Sequence, residues 1–129
     1  MKKYEDAIRE YLTERGWEDL RPGDLAKSIS IESAELLEIF QWSNQTASEV
    51  QADTDKLELI KKELADVMLY CLDMSVVLGL DTGEIVLSKL EKVKQKYPAE
   101  LFIDRDKSKD SGTEDIYWQI KKEYRAKGE

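Results

Sequence analysis

Two acidic couples at helical spacing carry the chemistry of this chain, Glu32-Ser-Ala-Glu35 and Glu63-Leu-Ala-Asp66. A separation of three residues puts both carboxylates of a couple one turn apart on one helix face. Each couple interrupts an otherwise apolar stripe: Ile29, Glu32, Leu36 and Ile39 in the first, Leu59, Glu63, Val67 and Tyr70 in the second. Four negative charges turned toward the interior of a small domain are strongly destabilising unless something neutralises them. A hard divalent cation does so. A lone Glu-x-x-Glu is ordinarily a solvated face. Two of them, each in register with apolar neighbours, favour a metal-carboxylate site and, with it, an enzyme. Glu38, one turn beyond Glu35, fits either an outer ligand or a surface role.

The chain has no histidine and one cysteine. That removes thiolate metal clusters and the di-iron bundle site, which needs Glu-x-x-His. All-oxygen ligation points to Mg²⁺, with Mn²⁺ as the alternative, and two carboxylate pairs have room for one to three ions. Water held by such an ion beside a spare carboxylate becomes a nucleophile at neutral pH. Phosphoryl transfer suits this equipment best, because its catalysis is mostly positioning and charge neutralisation.

Helices must position these groups. The pattern predicts a first helix from Lys3 to about Arg15, with Tyr4, Ile8, Tyr11 and Leu12 inward and Gly16 as its stop. A loop from Trp17 to Gly23 leads to a second helix, capped by Asp24 and running to about Trp42. Ser43 to Thr54 reads as a loop. Asp55-x-x-Glu58 can open a third helix through a capping box, which runs through Leu78 to a stop at Gly79. Asp81-x-x-Glu84 repeats the device for a fourth, ending near Tyr97-Pro98. Ala99 to Gly112 reads as irregular, and Thr113 to Lys127 as a last short helix with Ile116, Ile120 and Tyr124 on one side. The expected fold class is all-α, a four-helix-bundle-like arrangement with an additional short C-terminal helix.

The totals agree. A chain of 129 residues suits one domain, and 41% hydrophobic with 37% charged residues is a globular profile. The formal net charge of −8 argues against a nucleic-acid polymer as partner. A small anionic ligand remains compatible, because a bound divalent cation reverses the local sign. No segment approaches the ~18 apolar residues of a membrane span. The charged start MKKYEDAIRE lacks the apolar run of a secretory signal, so the expected location is the cytoplasm. Cys71, inside the apolar run Val67–Leu72, is expected to be a buried, inert thiol. That run covers nearly the whole circumference of the third helix, which suggests a subunit interface as well as a core.

The segment Leu25-Ala26-Lys27-Ser28-Ile29-Ser30-Ile31-Glu32-Ser33-Ala34-Glu35-Leu36-Leu37-Glu38-Ile39-Phe40-Gln41-Trp42 resembles the first metal helix of MazG-type nucleotide pyrophosphohydrolases. Glu63-Leu64-Ala65-Asp66-Val67-Met68-Leu69-Tyr70 resembles the second, and the 27 residues between the couples fit the family's E-x-x-E…E-x-x-D spacing. Ser88-Lys89-Leu90 and Lys96-Tyr97-Pro98 are similar to its lysine-bearing fourth helix and Tyr-Pro ending. The likeness is greatest to the compact subgroup that includes the dCTP pyrophosphatases. It divides the chain into a domain over residues 1–104 and a C-terminal extension over 105–129.

The resemblance implies Mg²⁺-dependent cleavage of a nucleoside triphosphate to the monophosphate and pyrophosphate. It implies metal ligands at Glu32, Glu35, Glu63 and Asp66, and a homo-oligomer, either a dimer or a tetramer built from dimers. It implies a nucleotide pocket drawing on Trp17, Trp42 and Tyr70, for each of which core packing stays open, and a phosphate contact at Lys89 ahead of Lys92 and Lys96. Two positions depart from the pattern. Ile8 stands where dCTP-selective relatives carry a histidine that helps bind the nucleotide, and Val93 where many carry an asparagine. Both remove polar groups from the expected ligand region, which leaves base selectivity open and the metal chemistry intact. In the expected mechanism, attack falls on the α-phosphorus and a carboxylate not saturated by metal, Glu35, accepts the proton. The rival reading is a non-catalytic, metal-stabilised helical oligomerisation or nucleotide-sensing module. A phosphohydrolase acting on a non-nucleotide diphosphate is a third.

Overall fold

Caps and breakers set the element boundaries in the computed structural model, which describes residues 1–103 and 111–128, the side chains of 111–114 excepted. Helix α1 spans Lys2–Arg15 and ends where Gly16 takes a left-handed φ of 64°. That turn lets the N–H groups of Gly16 and Trp17 donate to the carbonyls of Thr13 and Leu12, at 3.1 and 3.0 Å. Helix α2, Pro22–Glu38, opens on a proline at its first position, after an extended Arg21. Asp24 is therefore not its cap. It lies inside the first turn, where a carboxylate faces the positive end of the helix, and it pairs with Lys27 at 2.8 Å. The helix stops at Glu38, and turn hydrogen bonds from Phe40 to Leu37 and from Gln41 to Glu38 replace its expected last turn.

The expected loop from Ser43 to Thr54 holds a helix, α3, Ala47–Ala52. Thr46 and Glu49 form a reciprocal capping box at its start. Helix α4, Thr54–Val77, begins slightly earlier than expected, because Asp53 caps it by accepting from the Lys56 N–H at 3.0 Å. Helix α5 spans Thr82–Lys96, and α6, Glu100–Ile103, adds a turn in the stretch read as irregular. Residues 104–110 of that stretch lie outside the described residues. Helix α7 spans Ser111–Ala126. The all-α reading holds: α1, α2, α4 and α5 are the four main helices expected, and α7 is the C-terminal one, which with 16 residues is no shorter than α1 or α5. Among the described residues, no helix is long and apolar enough to cross a membrane.

The chain divides into two units, Met1–Gly83 and Glu84–Glu129. In the first, α4 packs on α2 and α1, with α3 against its side. Its core is Ile8, Leu12, Leu72 and Val76, flanked by Leu20 and Val77. Leu12 is 1% exposed. Leu12→Ala leaves a cavity in this core and is expected to cost about 2–5 kcal/mol, read by urea denaturation. The inward face of α1 is rotated from the expected one. Tyr4 is 59% exposed and Tyr11 partly so, while Glu5 is buried.

Glu5 is buried because it serves the start of α5. Its Oε1 accepts from the backbone N–H of Thr82 at 2.7 Å. The neighbouring Thr82 hydroxyl, and then this N–H, hold the carboxyl below the ordinary value of 4.5. Of the two, only the N–H meets hydrogen-bond geometry; the buried hydroxyl oxygen has no partner among the described residues. A lowered folded-state value stabilises above the unfolded value and is lost as pH falls through the folded one. The melting-temperature gap between wild type and Glu5→Gln is therefore expected to be widest at neutral pH and to close below pH 4.5. A gap independent of pH would show that the charge contributes nothing.

The all-round apolar character of α4 has a visible consequence. Leu64, Met68 and Leu69 are exposed, as are Ile31 and Leu37 on α2. Cys71 is exposed as well, contrary to expectation, because it lies on the side of α4 that no other helix of this unit covers. In the second unit, Tyr97 stacks on Tyr117 with centroids 5.1 Å apart and meets Phe102 edge-on. The Lys96 ammonium lies 4.5 Å over the Tyr124 ring, and Ile116, Ile120 and Tyr124 are half-buried together, as the spacing predicts.

Candidate functional site

The packing of α2 on α4 brings the two acidic couples to one place. Oxygens of Glu32, Glu63 and Asp66 all lie within 4.8 Å of one another. Glu63 is buried; its Oε1 accepts from the Lys62 ammonium at 2.8 Å, and its buried Oε2 has no partner among the described residues. Loss of water around Glu32, followed by the charges of Glu35, Asp66 and Glu63, pushes its carboxyl above the usual range; Lys62 offsets this in part. Lys62 is raised in turn, first by its bond to Glu63 and then by the surrounding carboxylates. Glu35 is exposed and outside the convergent trio, yet close enough to act on Glu32.

This arrangement fits a hard divalent cation. The donors are all carboxylate oxygens, they come from two rigid helices, and one of them is a buried orphan that the fold itself leaves unsatisfied. Lys62 is an incomplete substitute: its side chain is exposed, and it satisfies one oxygen of the three residues.

Beside the trio lies a cavity of about 660 Å³, within the range of small-molecule sites. Trp17 and Tyr70 line it, together with Ile8, Tyr11, Asp66 and Asp73. Asp66 thus belongs both to the acidic trio and to the cavity wall. The left-handed turn at Gly16 delivers Trp17 to this wall, where its ring meets Tyr11 edge-on at 6.0 Å. Trp42 stands elsewhere: it follows the end of α2, is 89% exposed, and borders a shallow hollow with Leu37 and Phe40. Lys89 is in the other unit, where Lys89, Lys92, Val93, Lys96 and Tyr124 line a cavity of about 500 Å³.

Sequence reasoning missed Asp73. It is an acid in the most apolar part of α4, three residues after Tyr70 and seven after Asp66, and that spacing was the signal available.

Residues 27–110, which hold both acidic couples, match the model of the MazG-like family. The chain is 33% identical to mouse dCTP pyrophosphatase 1 and 31% identical to the human one, each over 94 residues. Those matches take in 71% of this chain and 55% of the relative, so the chain spans about half the length of the curated relatives it matches. The crystal structure of a pyrophosphatase from Archaeoglobus fulgidus superposes with a TM-score of 0.65 at 40% identity, over 76% of this chain and 92% of that one. With the E-x-x-E and E-x-x-D helices in contact and both acidic couples inside the matched region, the chain belongs to the MazG-like family.

Proposed function

We propose that this chain is a divalent-metal-dependent nucleotide pyrophosphohydrolase that converts a nucleoside triphosphate to the monophosphate and pyrophosphate. The observation that carries this reading is the sharing of Asp66 between the carboxylate trio and an aromatic cavity. One residue then links the place where phosphates are neutralised to the place where a base lies flat. The names of the relatives, dCTP pyrophosphatase and pyrophosphatase, point the same way.

Glu32, Glu63 and Asp66 hold the metal, Mg²⁺ by choice of donors, and Glu35 extends the ligand set or stays free of it. A cation bound there supplies neutralisation of the triphosphate charge and acidification of water. Trp17 and Tyr70 offer faces against which a base stacks, with Tyr11 beside them. Their cavity excludes water from the base and fixes its distance from the carboxylates. Glu35, exposed at the edge of the trio, accepts the proton of the attacking water, a role within a carboxylate's reach beside a charge-dense site. By the family resemblance, Lys89 is assigned a phosphate contact and Trp42 a contact to the nucleotide. The exposed apolar side chains of α2 and α4, Leu37, Leu64 and Met68 among them, favour a homo-oligomer. We assign residues 1–104 to the catalytic domain and 105–129 to an extension of it.

The test is product analysis. The protein is incubated with a panel of NTPs and dNTPs and Mg²⁺, and products are resolved by anion exchange. Monophosphate with equimolar pyrophosphate is the expected result. Orthophosphate and diphosphate would place the cleavage at another bond, and intact nucleotide bound stoichiometrically would favour a sensing module instead.

A further inference from the structure

Asp73 has no part in the chemistry above, yet its surroundings are those of a recognition group. It follows Tyr70 by one turn of α4 and Asp66 by two, so the three share a helix face. It lines the same cavity and is 8% exposed. Its Oδ1 is buried and has no hydrogen-bond partner among the described residues. Burial alone pushes its carboxyl above the usual range, with no neighbouring charge contributing. Buried carboxylates in folded proteins are nearly always paired, and one that lines a cavity can be completed by a ligand donor that meets its accessible part. Ile8, also on that wall, offers no polar atom. A flat ligand lying against Trp17 and Tyr70 therefore meets an acceptor from α4.

We propose that Asp73 reads the base: it accepts a hydrogen bond from the exocyclic amino group of the nucleobase held in this cavity, and so selects amino-bearing bases over those that lack one. The inference rests on the nucleotide reading given above. Cytosine, adenine and guanine each present an amino donor, and carboxylates are known partners for such groups. Uracil and thymine present a carbonyl in its place, and hypoxanthine a hydrogen. Either substitution leaves the carboxylate without a donor, which is the condition under which a polar site discriminates strongly.

The test compares substrates that differ only at that group, dCTP with dUTP and dGTP with dITP, with dATP alongside. Wild type is expected to favour the amino-bearing member of each pair in kcat/KM by roughly 10- to 100-fold. The two pairs show separately whether the preferred amino group is that of a pyrimidine or a purine. Asp73→Asn, whose amide both donates and accepts, is expected to bring the dCTP:dUTP ratio to within about threefold. Asp73→Ser serves as the second variant, and circular dichroism confirms the fold of each.

If wild type cleaves nucleotides without regard to the amino group, or if both variants keep the wild-type preference, the assignment of Asp73 is overturned and the hydrolase reading stands. Calorimetric binding of dCMP against dUMP reads the base without any cleavage. If no nucleotide is hydrolysed, the hydrolase reading fails, and this binding ratio decides the role of Asp73 alone: a preference for dCMP that Asp73→Asn abolishes supports it, and equal or absent binding overturns it.

Discussion

Asp66→Asn is expected to lower kcat for pyrophosphate release by at least ~10³-fold, a loss of roughly 4 kcal/mol of transition-state stabilisation. The substitution keeps the size of the side chain and removes one charge. What it takes away is used twice. Asp66 is one of three carboxylates whose oxygens come within 4.8 Å of one another, and it also lines the aromatic cavity. A cation held by two carboxylates neutralises less of a developing triphosphate charge and is less firmly placed. The base, lying against Trp17 and Tyr70, then has a misplaced phosphate end, and small errors of placement are costly in a reaction governed by positioning. Glu38→Gln supplies the contrast. Glu38 is exposed and not one of the converging three, and its substitution is expected to change kcat less than about twofold, as for most surface positions. Initial rates with and without Mg²⁺ separate the outcomes. Full activity in Asp66→Asn, shown to be folded, would remove the carboxylate trio from the mechanism, and a large loss in Glu38→Gln would enlarge the metal shell.

The site was legible in the sequence to the extent that it rests on local spacing. Glu32, Glu63 and Asp66 could be read because a carboxylate in an apolar stripe is a local anomaly, and local anomalies survive into the fold. Helix α3 was legible as well, since Thr46-Ala47-Ser48-Glu49 carries the capping-box pattern, but its polar composition suggested a loop. The start of α4 went wrong because Asp53 and Asp55 are both competent caps, and only the backbone geometry at Asp53 chooses between them. Tyr4, Glu5 and Cys71 could not be placed from periodicity. Glu5 is buried on account of a partner 77 residues away, and no pattern on α1 announces Thr82. Cys71 is exposed because α4 has more apolar faces than this unit covers, a fact about neighbours and not about the helix. The exposure of Trp42 follows from the early end of α2 at Glu38 and the turn bonds that replace its last turn.

The trio proposed to hold the metal should make the empty protein less stable than its packing allows, and Mg²⁺ is expected to reverse this. Oε2 of Glu63 is buried without a partner among the described residues, and loss of water, then the neighbouring carboxylates, push Glu32 up. This is a cluster in conflict with itself, relieved by whatever binds the folded state and not the unfolded one. Such a ligand stabilises by about 2.7 kcal/mol at a hundredfold excess over its dissociation constant. In a chain of this size that corresponds to roughly 10 °C in melting temperature. The midpoint should climb with the logarithm of the Mg²⁺ concentration, whereas NaCl at matched ionic strength, acting only by screening, should move it little. Glu63→Gln distinguishes a designed conflict from an ordinary acidic surface. Its amide oxygen can still accept from Lys62, and the buried charge is gone. In EDTA this variant is expected to melt above wild type, by on the order of 1 kcal/mol, while its response to Mg²⁺ disappears. The two effects have opposite signs in one protein, so a variant that is merely misfolded cannot reproduce them. If Glu63→Gln melts below wild type in EDTA, the carboxylates are settled without metal, and the physical ground for a cation at this site is removed.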